Sequence, residues 1–174
     1  MTKAYIFLLF FLSLNSWADQ EITPTTKVFV SPTNSHYLRI VPAKDFKQSK
    51  ARSYVYMAGN PSDHLLYEIN SWYSSSVLVS ASGQYIALLG PWPVMGSPAN
   101  ETPALAFYKN GTPTKNYMVS ELIVKPKELP RSVSHYSWGG KLQWTGDWWN
   151  DTIQVTTEEN RVIKFNIKTG EILE

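Results

Sequence analysis

The chain of 174 residues contains no cysteine. That absence excludes a disulfide framework, a thiolate nucleophile and every cysteine-ligated metal site, so the fold must be held by its core. An excess of one charge is also lacking: 16 Lys and Arg stand against 14 Asp and Glu, for a formal net charge of +2. So even a balance gives no electrostatic footprint for a nucleic-acid partner. Beyond the first 18 residues no apolar run is long enough to cross a bilayer, and no stretch of about ten residues keeps a clear helical period. Catalytic signatures are missing too: there is no G-x-S-x-G elbow, H-E-x-x-H, Walker loop or dinucleotide fingerprint. His36, His64 and His135 are widely separated and read as surface or structural residues rather than zinc ligands. These absences point away from an enzyme and away from any cofactor or metal.

What is present begins at the N-terminus. Lys3 precedes the apolar run Ala4 to Leu14, and Ser16 and Ala18 stand at the spacing of signal-peptidase cleavage. The run is well short of the ~20 residues of a spanning helix. Residues 1–18 are therefore expected to be a secretory signal peptide, with an uncleaved anchor as the alternative. Residues 19–174 then form a single all-β domain with no stable membrane insertion. Cleavage takes away Lys3 and no acid, leaving 15 basic against 14 acidic side chains. An oxidising destination with no cysteine used, and a compact Phe/Leu-rich leader, fit a bacterial envelope protein: secreted, and periplasmic in a Gram-negative cell.

The mature chain reads as all-β. Short β-rich runs recur between turn formers: "KVFVS" (27–31), "HYLRIV" (36–41), "SYVYM" (53–57), "LLYEI" (65–69), "SVLVS" (76–80) and "QYIALLG" (84–90). After them come "ALAFYK" (104–109), "KNYMV" (115–119), "KLQW" (141–144), "TIQVTT" (152–157) and "RVIKFNI" (161–167). Asn110-Gly111 is the strongest hairpin signal, because a type I′ turn needs positive φ at both central residues. Two short helices are expected, at 43–51, where Lys44, Lys47 and Lys50 form a basic face, and at 119–123, with Ser120 as N-cap.

Comparing the chain with itself exposes repeats. "KVFVSPTNSHYLRIVP" matches "SVLVSASGQYIALLGP" with one inserted residue, and "YVYMAGNPSDHLLYEI" matches "AFYKNGTPTKNYMV". "WYSSSVLVSASGQYIAL" (72–88) matches "WWNDTIQVTTEENRVIKF" (148–165), placing Trp72 and Tyr73 on Trp148 and Trp149, and Val77 on Ile153. "KFNIKTGEIL" supplies the last strand and turn, with Gly170 at the bend. The result is about three repeats of antiparallel hairpins, near 27–70, 72–123 and 134–174.

In "VLVSASGQYIALLG", "LAFYKNGTPTKNY" and "IKFNIKTGEIL" the chain resembles the blades of WD-repeat or quinoprotein-type β-propellers, although the WD dipeptide and the Gly-His of such blades are missing. The resemblance implies four-stranded sheets arranged as a partial propeller, a curved two-sheet sandwich, or one part of an oligomeric ring. It also extends to secreted bacterial proteins of no assigned activity and implies no mechanism.

The residues singled out for ligand contact are Trp92, His135, Trp138, Asp147, Trp149 and Asp151. Trp92 lies in the Pro/Gly-rich "GPWPVMGSP", and Trp138 in "SHYSWGGK" beside His135 and Tyr136. Adjacent residues of an extended strand point to opposite faces, so Trp148 and Trp149 enter one core only if the chain turns there. Two readings stand: a packing duty, favoured by the recurrence of the aromatic pair, or a ligand platform flanked by Asp147 and Asp151. A site would form where these three loops converge. The expected function is a non-catalytic binding or protein-interaction module of the envelope, such as an assembly factor or inhibitor. The alternatives are a glycan-binding domain with exposed, coplanar Trp rings and, third, a small hydrolase with two convergent carboxylates.

Overall fold

The computed structural model describes residues 23–43, 50–91, 98–130 and 136–173. Twelve strands form three antiparallel four-stranded sheets, each a meander in chain order. The first holds β1 (Lys27–Val30), β2 (His36–Pro42), β3 (Lys50–Met57) and β4 (His64–Trp72). The second holds β5 (Val77–Val79), β6 (Tyr85–Leu89), β7 (Pro103–Lys109) and β8 (Thr112–Met118). The third holds β9 (Gln143–Trp144), β10 (Thr152–Thr156), β11 (Val162–Asn166) and β12 (Ile172–Leu173). The all-β class with repeated hairpin sheets is therefore as the sequence indicates. None of the sheets closes into a barrel among the described residues.

Period-two alternation decides how the sheets stack. Leu38, Ile40, Val55 and Ile69 of the first sheet pack with Ile86, Leu88, Ala106 and Tyr108 of the second. The residues between these, Ala87, Leu105 and Phe107, emerge on the opposite face and pack with Ile153, Val155, Ile163 and Phe165 of the third. The middle sheet is thus buried on both faces, which is why β7 reads as a continuous apolar run (PALAFYK) while β10 and β11 alternate. Among the described residues the outer sheets each keep one free face.

Turn chemistry repeats. The Ser31 hydroxyl accepts the His36 amide at 3.1 Å, Ser80 that of Tyr85 at 3.0 Å, and Thr157 that of Arg161 at 3.2 Å. Asn110 (φ 48°) and Gly111 (φ 82°) form the left-handed pair that the β7–β8 hairpin requires. Yet the third repeat is displaced. The β10–β11 hairpin shares its turn with β1–β2 and β5–β6 but holds the second and third places in its sheet, because Trp144 of β9 pairs with Ile153 and takes the first. Trp148 and Trp149 therefore have no positional counterparts in Trp72 and Tyr73.

The two helix expectations fare differently. Val119–Leu122 is α1, but its N-cap is Met118, whose amide donates to the Glu121 carboxylate at 2.6 Å, so Ser120 sits inside the helix instead of capping it. At 43–51 only the ends are described: Lys50 and Ala51 belong to β3, and residues 44–49, with Lys44 and Lys47, lie outside the described residues. The signal-peptide segment, residues 1–18, lies outside them as well. Among the described residues no helix is long and apolar enough to cross a membrane.

Candidate functional site

Between β9 and β10 the chain reverses through Gly146 (φ 64°), whose left-handed backbone favours glycine, and a 3₁₀ turn over Trp148–Asn150. The loop is tied at each step. Thr145 donates its amide to Thr152 at 2.9 Å, Asn150 to the Asp147 carbonyl at 3.1 Å, and Ile167 to the Asp151 carbonyl at 2.8 Å. Asp151, left-handed at φ 55°, ends the turn, and its carboxylate receives Lys168 Nζ at 2.6 Å. The same carboxylate holds the Lys168 ammonium above the ordinary lysine range. The loop is thereby fastened to the β11–β12 turn.

On this base the two indoles stand edge to face, with centroids 5.5 Å apart and planes 79° to one another. Trp149 is 60% exposed and Trp148 36%. The chain does turn here, and the two rings touch each other with neither buried, so they do not serve the core packing inferred from their recurrence. Single exposed apolar side chains are ordinary, but two indoles in contact make a contiguous apolar patch, which is the informative case. Asp147 is exposed beside them.

Trp138, also singled out in the sequence, does not join this loop. Trp138 is 3% exposed and belongs to the core between the second and third sheets, so its ring is not offered to a ligand. Its carbonyl accepts the Glu158 amide at 3.1 Å, beyond the far end of β10. Five strand residues, about 17 Å, separate that point from the tryptophan loop. The reason is the meander itself, which sends the two ends of a strand to opposite rims of the sheet. Trp92 and His135 lie outside the described residues.

Other features were not legible in advance. Lys168 is the cation that fixes the loop, and only its location in the adjacent turn reveals this. On the opposite rim Glu159 accepts the amides of Val124 (3.1 Å) and Lys125 (2.6 Å), which keeps its carboxyl below the usual range and pins the segment after α1. The free face of the first sheet carries Tyr37 stacked on Tyr56, centroids 5.0 Å apart and planes at 16°. Its signal was the alternation in "HYLRIV" and "SYVYM". Among the described residues no group of three or more His, Asp or Glu is placed to hold a metal ion. No protein-family model matches the chain, and no curated protein is found to be similar to it.

Proposed function

We propose that the protein is a secreted, non-catalytic interaction module of the bacterial envelope, periplasmic in a Gram-negative cell, and that it engages another envelope or secreted protein through Trp148 and Trp149. The observation that carries the proposal is an exposed indole pair held on a loop fixed by backbone hydrogen bonds and an ion pair. Tryptophan is enriched, with tyrosine and arginine, among the anchors of protein interfaces, because one ring buried in a partner's pocket supplies a large share of the binding energy. A pre-fixed anchor loses little entropy on binding.

A sugar platform of two coplanar rings fits less well, since at 79° only one indole face at a time lies flat to a pyranose. The Asp147 carboxylate beside Trp149 keeps a one-ring glycan contact as the alternative outcome. The three stacked meanders support the likeness to propeller blades, a scaffold that presents binding surfaces on its loops.

The test is affinity capture from envelope extract by the chain from Asp19 to Glu174, with peptidoglycan and polysaccharide fractions in parallel. Retention of one stoichiometric protein, lost in Trp149→Ala, is expected. Retention by a glycan fraction alone replaces the protein partner with a sugar, and capture unaffected by Trp149→Ala removes the loop from the function.

A further inference from the structure

The loop "TGDWWND" (145–151) carries two carboxylates and no lysine or arginine. Asp151 is neutralised from the next turn by Lys168 Nζ at 2.6 Å. Asp147 is left over. It stands at the N-cap of the Trp148–Asn150 turn, where an aspartate side chain ordinarily accepts an amide of the first turn, yet its carboxylate makes no such bond. It is exposed, and among the described residues no cation is paired with it. Two carboxylates against one ammonium leave the loop and Lys168 together at −1.

The rings beside Asp147 call for the same sign of partner. An aromatic ring is negative on its faces, and indole is the best cation acceptor of the three types. The chain uses this attraction nearby: Lys109 Nζ lies 5.8 Å from the Tyr85 centroid and Lys115 Nζ 5.4 Å from that of Tyr117. Among the described residues no cation lies over Trp148 or Trp149, although both are more open and stronger acceptors. Standing edge to face at 79°, the two indoles form a corner. A flat cation laid on one ring turns its N–H edge towards the face of the other.

We infer, resting on the interaction reading above, that this corner receives an arginine side chain of the partner protein. An apolar side chain closing over the indoles would desolvate Asp147 without a counter-charge, whereas a cation offsets that cost. Arginine suits the corner better than lysine. Its guanidinium is planar, stacks on aromatic faces, is weakly hydrated, and keeps a fork of N–H donors in its own plane for a carboxylate. Lys168 does not compete for the indoles, because Asp151 already holds its ammonium.

Two measurements on the Asp19–Glu174 chain test the inference, and only one needs the partner. The first is an NMR titration of the tryptophan side-chain N–H resonances with the peptide acetyl-Gly-Arg-Gly-amide. Saturable shifts at Trp148 and Trp149 are expected in the millimolar range, weakened about threefold in Asp147→Asn. The same peptide with citrulline, equal in shape but uncharged, should give none. Absence of shifts with the arginine peptide, or equal shifts with citrulline, overturns the inference.

The second measurement is the envelope capture. Asp147→Lys should lose the partner as fully as Trp149→Ala does, and Asp147→Asn should lower retention about tenfold, with circular dichroism unchanged in each. Capture that is lost in Trp149→Ala but intact in Asp147→Lys overturns the arginine contact and leaves the interaction reading standing. Capture indifferent to Trp149→Ala, alongside charge-dependent peptide shifts, removes that reading and retains the cation-binding corner.

Discussion

Tyr117 on β8 donates its hydroxyl to the carbonyl of Gly170, 2.8 Å away in the β11–β12 turn, and so stitches the second sheet to the third. Tyr67 on β4 donates to the Gly83 carbonyl between the first and second sheets. In both cases the fourth strand of one sheet grips a glycine turn of the next. Gly170 is confined on both counts: its φ is +77°, and an added Cβ would lie 2.6 Å from Lys115 Cβ and 2.9 Å from Phe107 Cδ2. We expect Gly170→Ala to destabilise by about 2 kcal/mol or more, and Tyr117→Phe by about 1 kcal/mol. Chemical denaturation of each variant checks the order.

The two tryptophans nearest the functional question should separate cleanly. Trp138→Ala empties part of the core between the second and third sheets and should cost about 3 to 5 kcal/mol. Trp149→Ala removes an exposed ring and should change stability by less than about 0.5 kcal/mol while abolishing partner retention. Thermal unfolding beside the capture assay reads both.

Ser53 is wholly buried between Ile40 and Ile69 in the first sheet, and its hydroxyl has no hydrogen-bond partner. Removing an unsatisfied hydroxyl relieves its desolvation, so Ser53→Ala should stabilise the fold by about 1 kcal/mol. An urea midpoint unchanged or lowered would contradict this.

The Tyr37–Asp63 bond should fail at both extremes of pH. Donation to Asp63 raises Tyr37 to about 12, so its contribution is complete below the ordinary phenol value and disappears as the pH rises through about 12. Asp63 is lowered by the same bond; its contribution is present above the ordinary carboxylate value and disappears as the pH falls through the lowered one. In Tyr37→Phe, NMR titration should return Asp63 towards the ordinary range and flatten both limbs of the stability curve.

Strand content and the hairpin turns were legible in the sequence because each depends on neighbours a few residues apart. The alternation in β10 and β11, the positive φ at Asn110-Gly111, and the third-hairpin match that put Gly170 at a bend all hold at that range. The hairpin likeness between 72–88 and 148–165 is real in its hydroxyl-closed turn but misleads about position. A two-residue strand, Gln143–Trp144, is too short to register as periodicity, yet it moves the whole hairpin one place across the sheet. Ser120 was read as a cap from residue type, whereas the carboxylate of Glu121 decides that helix start.

By itself the sequence determined that the fold is β, that it is built from repeated hairpins, and that its core must work without disulfides, since these follow from composition and local backbone preference. Only the tertiary structure decided which aromatics are buried. Trp138, Trp148 and Trp149 look alike in a string of letters, and their fates diverge because stacking the three sheets encloses one rim position and leaves the β9–β10 loop outside. Burial is a property of what packs opposite a side chain, and no residue carries that information in its own neighbourhood.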